Sequence, residues 1–139
     1  MKCAYPACVY KEKSNQYAIV FPDLDNLATC GETLEKAMEM ATDCLAGYIY
    51  SLEIEGEAIP KASDIKDISL DIYDEMVEGY VSIIFVDVDE YAKNHFNKAI
   101  KKTLTIPEWL NDIAIRKNVN FSKVLQKALI QELNIQTKK

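Results

Sequence analysis

The stretch 101-KKTLTIPEWL-110 constrains this chain more than any other ten residues. Leu104 and Ile106 alternate with Lys101, Thr103 and Thr105, the period-2 pattern of a strand. Pro107 stops the alternation, and Trp109, Leu110, Ile113 and Ala114 follow at helical spacing within Glu108–Lys117. Asn118 suits a left-handed residue at that helix's C-terminus, and Asn120 suits the N-cap of a second helix. The second helix has Phe121, Val124, Leu125, Ala128, Leu129 and Leu133 on its apolar face. A strand with two apolar side chains and two short helices, about 35 residues in all, cannot bury a sufficient core alone.

A symmetric dimer solves the problem: the strand pairs with its twin across a two-fold axis. Leu104, Ile106, Leu110, Val124 and Leu125 are then the expected shared core. With Leu104 and Ile106 inward, Lys101, Thr103 and Thr105 must point outward together. The resulting polar, basic ribbon of two strands has the width of the DNA major groove. There lysine can donate to guanine, and threonine can hydrogen-bond or touch a thymine methyl. The start of the second helix, at Asn120, Ser122 and Lys123, offers free amides and a positive dipole end to a phosphate. The plainer alternative is an edge strand whose lysines only deter aggregation.

Charge divides the chain in the same place. Residues 1–90 hold 6 Lys/Arg against 19 Asp/Glu, a net of −13, whereas residues 91–139 hold 10 against 3, a net of +7. A basic end can face a polyanion that the acidic end would repel. The expected organisation is a domain at 1–90, a short helical linker at 91–100 and a DNA-binding and dimerisation unit at 101–139.

Within the acidic part, Tyr5–Tyr10 and Tyr17–Phe21 are rich in tyrosine and β-branched residues and read as a hairpin. Pro22 ends the second strand, and Leu27–Cys30 is a candidate third strand that Gly31 breaks. From Leu34 the period changes. Leu34, Ala37, Met38, Ala41, Leu45, Tyr48, Ile49 and Leu52 fall on one helical face, with Thr33 as N-cap and Gly56 and Pro60 closing the helix. Tyr80–Val88 is almost continuously apolar, the pattern of a strand covered on both faces. The order β-β-β-α-β predicts a helix packed on a small sheet, and the whole chain is α+β.

Other chemistries find little support. No apolar run approaches a membrane span, and the first residues lack the apolar core of a signal peptide. Cys3, Cys8, Cys30 and Cys44 form no CxxC pair, and His95 is the only histidine, so no metal or other cofactor is expected. Reduced, mostly buried thiols and a cytoplasmic location are the expectation. Asp23, Asp25, Asp87 and Asp89 are the carboxylates worth weighing for two-metal chemistry. A solvated acidic face that docks a basic partner explains them better, so no catalytic residue is assigned.

Two resemblances cover nearly the whole chain. KKTLTIPEWL followed by NVNFSKVLQKAL resembles a ribbon-helix-helix module of the MetJ/Arc type, which implies base reading by Lys101, Thr103 and Thr105. YPA at 5–7, FPDL at 21–24, GETLEKA at 31–37 and EGEAIPKAS at 55–63 resemble a HicB-type antitoxin. Asp25-Asn26 stands where that family commonly has Pro-Gly. The resemblance implies a degenerate RNase H-like N-terminal domain that neutralises a small HicA-type mRNA-cleaving toxin, with contacts around Phe21, Pro22, Asp23, Leu24 and Asp25. It also implies repression of the protein's own operator DNA by a homodimer, the pairing of dimers into tetramers being left open. The alternative is a stand-alone repressor whose N-terminal domain senses a small ligand.

Overall fold

The computed structural model describes residues 1–136. The chain forms two compact units, Met1–Lys98 and the segment from Ala99 onward. In the first, the strands β1 (Lys2–Glu12), β2 (Tyr17–Phe21) and β3 (Leu27–Gly31) precede helix α1 (Leu34–Glu55). Strand β4 (Met76–Asp87) and helix α2 (Val88–His95) follow. The four strands make one antiparallel sheet in the order β3-β2-β1-β4. This is the predicted β-β-β-α-β sequence with an added helix.

Helix α1 begins and ends where the sequence places its caps. The Thr33 side chain accepts a hydrogen bond from the Lys36 amide at 3.1 Å, and Gly56 closes the helix at φ 71°. Its buried residues, Ala37, Ala41, Leu45, Ala46, Ile49 and Leu52, face one side of the sheet. Strand alternation supplies the opposing layer: Tyr5, Ala7 and Val9 from β1, Ile19 and Phe21 from β2, and Ile84 and Val86 from β4. Burying each large aliphatic here contributes about 1.5–3 kcal/mol. Small residues at the start of α1 let the helix approach closely. A Cβ on Gly31 would lie 2.4 Å from the Ala37 backbone nitrogen, so this crossing admits only glycine.

The opposite face of the sheet is covered in part, over β1, by the connection from α1 to β4. This long segment has one short 3-10 turn at Ile65–Asp67 and is tied down by individual bonds. The Cys8 thiol donates to the Ser69 carbonyl at 3.8 Å, and the Asp71 amide donates to the Tyr10 hydroxyl at 2.9 Å. Tyr73 meets Tyr10 edge to face at 5.5 Å and donates to a Glu12 carboxylate oxygen at 3.2 Å. Tyr5 reaches past the core to donate to the Pro60 carbonyl.

Two expectations need correction. Tyr80–Val88 is not covered on both faces: Ile83 is 50% and Phe85 59% exposed. β4 is an edge strand, and the connecting segment does not shield these side chains. The helix expected within 91–100 is present, but it starts earlier and belongs to the first unit. Helix α2 starts at Val88 with an Asp87 side-chain cap, and Phe96 stacks on Tyr50 of α1 with centroids 4.6 Å apart. The compact unit therefore runs on to Lys98.

The second unit contains helices α3 (Glu108–Arg116) and α4 (Phe121–Glu132). Asn118 is left-handed at φ 55°, and the Asn120 side chain accepts from the Lys123 amide at 3.1 Å. Residues 101–106, predicted as a strand, have no strand assignment in the single chain, which offers them no partner ladder.

Candidate interaction surfaces

In the first unit the FPDL turn is built from both buried and exposed groups. Phe21 and Leu24 are fully buried, so they anchor the turn in the core and present no contact surface. Pro22 and Asp23 are half-buried, and Asp25 is exposed. Asp25 and Asn26 are both left-handed, at φ 54° and 57°. Aspartate and asparagine tolerate that conformation, whereas a proline could not occupy position 25 of this turn.

Asp23 is the centre of the turn. Its carboxylate accepts from the Ser63 amide at 2.8 Å and from the Ser63 hydroxyl at 2.6 Å. This joins FPDL to the end of EGEAIPKAS through two residues forty positions apart. Sequence reasoning missed Ser63; the signal was the co-occurrence of the two motifs. Beside the turn a groove of about 310 Å³ opens between sheet and covering segment, lined in part by Cys8, Tyr10, Val20, Asn26, Asp71 and Tyr73. Burial pushes the Tyr10 and Tyr73 phenols above their ordinary range; Tyr10 accepts from the Asp71 amide and Tyr73 donates to Glu12.

The four weighed carboxylates take separate structural roles. Asp23 holds Ser63, Asp87 caps α2, Asp89 pairs with the Met1 amine, and Asp25 is exposed. Among the described residues no group of three or more His, Cys, Asp or Glu could hold a metal. His95 stacks on Tyr91 at 4.0 Å, with Nδ1 2.9 Å from the Tyr91 carbonyl oxygen. All four cysteines are free thiols. Cys3 and Cys8 point to opposite faces of β1; Cys8 is buried, and Cys30, against expectation, is exposed. Burial raises the pKa of the Cys3 and Cys44 thiols, the opposite of activation.

The second unit is defined by what it leaves uncovered. Among its described residues none is buried. Leu104, Ile106, Leu110 and Val124 are exposed, and Leu125 is half-buried. Trp109, Ile113, Phe121 and Leu129 are exposed too, so both helices show their apolar faces to solvent. Lys101, Thr103, Thr105, Ser122 and Lys123 are exposed, and Asn120 is engaged through its cap.

A family model described as the HicB_like antitoxin of bacterial toxin-antitoxin system matches residues 5–129. The chain belongs to this family. The HicB-like antitoxin is similar to a chain in a toxin–antitoxin complex from Streptococcus pneumoniae, at 30% identity and a TM-score of 0.62. That match covers 95% of this chain and 99% of the other. The antitoxin HicB of Burkholderia pseudomallei shares the fold at 19% identity and a TM-score of 0.51, over 96% of this chain and 98% of that one. A 14.9 kDa protein from the rep-hol intergenic region of Haemophilus phage HP1 (strain HP1c1) is 28% identical over 106 residues. These are 76% of the HicB-like antitoxin and 74% of the phage protein. Among the described residues no helix is long and apolar enough to cross a membrane.

Proposed function

We propose that this HicB-like antitoxin neutralises a HicA-type mRNA-cleaving toxin through its first unit and represses its own operator through a dimeric ribbon-helix-helix formed by the second. It acts by binding, without catalysis, in the cytoplasm. The observation that carries the reading is a second unit with two amphipathic helices and, among its described residues, none buried. Such a unit needs a second copy to make a core, and the twin strands at 101–106 supply it. Leu104, Ile106, Leu110, Val124 and Leu125 then fill the shared interior. Lys101, Thr103 and Thr105 face the major groove, with Asn120, Ser122 and Lys123 at the phosphates.

Neutralisation belongs to the first unit, which we read as a partial RNase H-like domain. Up to Lys98 it carries 8 Lys/Arg and 19 Asp/Glu, a net of −11. A toxin that grips RNA presents a basic face, and an acidic surface complements it. Pro22, Asp23 and Asp25 offer that surface a turn held in one shape by Ser63. The test is co-expression of the full-length antitoxin with the small basic protein encoded beside its gene. Rescue of growth, co-purification of the two and binding of the complex to the upstream operator are the expected results. Absence of any complex would refute the assignment.

A further inference from the structure

β4 is the longest exposed edge in the sheet, and its backbone directions can be worked out. The Glu12 amide donates to the Gln16 carbonyl, and the register pairs Cys8 with Val20 and Tyr10 with Ala18. Even-numbered residues of β1 therefore bond toward β2, and odd-numbered residues bond toward β4. Two further facts agree. Pro6, which has no amide hydrogen, is even-numbered, and the Val88 amide donates to the Met1 carbonyl. With Tyr5 opposite Ile84 and Ala7 opposite Ser82, it is the even residues of β4 that close the ladder. The N–H and C=O groups of Val81, Ile83 and Phe85 consequently turn to the open edge.

The same residues put their side chains on the sheet face away from α1, and there Ile83 and Phe85 are half or more exposed. Edge strands are ordinarily blunted by lysine, proline or a cover. Met76–Asp87 contains neither lysine nor proline, and among the described residues no other backbone segment bonds to its outer side. An open ladder beside two apolar side chains is a template for strand addition. Charge decides the occupant. The first unit carries a net of −11, so a second copy would bring two strongly acidic bodies together, whereas a basic protein would meet complementary charge.

We propose that the open edge of β4 is the docking strand for the toxin: a basic protein adds a strand to it and seats apolar side chains on Ile83 and Phe85. This rests on the neutralising role proposed above and adds the β4 edge to the FPDL turn as a second contact surface.

The experiment uses full-length antitoxin and a catalytically inactive variant of the toxin encoded beside it. Binding is titrated for the wild type, for the double variant Ile83→Thr/Phe85→Thr and for Ile83→Pro, which removes an outward amide without breaking the ladder to β1. The double variant should bind at least about tenfold more weakly, as expected when central apolar anchors are truncated. Ile83→Pro should bind more weakly still, and the amides of Val81, Ile83 and Phe85 should gain hydrogen-exchange protection only in the complex. Tyrosine near-UV circular dichroism reports whether each variant is folded; if Ile83→Pro is not, the threonine pair and the exchange data decide. Unchanged affinity with unprotected amides would overturn the proposal while leaving neutralisation intact. A wild type that binds no toxin would overturn both. Loss of self-association with toxin affinity retained would give the edge to a second copy and also overturn the proposal.

Discussion

Removing the Asp23 carboxylate should loosen the first unit by an amount that a double-mutant cycle can apportion. Asp23 accepts two hydrogen bonds, from the Ser63 amide at 2.8 Å and the Ser63 hydroxyl at 2.6 Å. A bond to a charged acceptor contributes about 1.5–3 kcal/mol when well shielded. Ser63 is exposed and Asp23 only half-buried, so about 1 kcal/mol for each bond is the appropriate figure. Asp23→Ala should then cost about 2 kcal/mol, Ser63→Ala about 1 kcal/mol, and the pair should couple by about 1 kcal/mol, because the serine variant keeps its amide. The assay can isolate this unit. All eight tyrosines lie in residues 1–98 and the single tryptophan, Trp109, lies in the other unit. Tyrosine near-UV circular dichroism therefore follows the first unit, and tryptophan fluorescence follows the second. In thermal unfolding the tyrosine transition of Asp23→Ala should fall by roughly 4–8 °C per kcal/mol lost, with the tryptophan transition unmoved. Coupling indistinguishable from zero, with additive single losses, would refute the view that this pair clamps the two motifs together.

Four further outcomes are expected. Leu104→Asp should place a charge in the shared core of the second unit and give a monomer by light scattering, where the unmutated protein is a dimer at micromolar concentration. The triple variant Lys101→Ala/Thr103→Ala/Thr105→Ala should lose operator affinity in a mobility-shift titration, by about 1–3 kcal/mol for each base contact, yet still rescue growth from the toxin. Residues 1–98 should rescue growth and residues 99–139 should not. A cut at 90 should be less stable in urea because it severs α2 and its Phe96–Tyr50 stack. Gly31→Ala should destabilise the first unit by at least about 1–3 kcal/mol in denaturant titration. Its new methyl group would meet Ala37 backbone atoms, which have no rotamer to escape into.

Much of the local structure was written in the sequence, because caps and periodicities are short-range properties. Thr33, Gly56, Asn118 and Asn120 marked helix boundaries that the structure reproduces, and the three- and four-residue steps from Leu34 to Leu52 marked the face that α1 buries. The uncovered core of the second unit was equally legible, since two apolar strand residues and two short helices cannot enclose a core. Tertiary structure alone decided what depends on distant chain segments meeting. Phe21 and Leu24 read as contact residues and are buried, because the turn folds back under the sheet's own core. Asp23 read as an exposed contact carboxylate; its bonds to Ser63, forty positions away, appear only in the fold. The apolar run Tyr80–Val88 read as a doubly covered strand. Periodicity reports that a strand carries apolar residues on both faces, but only the strand order β3-β2-β1-β4 shows that it lies at an edge. The open side of β4 and the exposure of Ile83 and Phe85 follow from that placement.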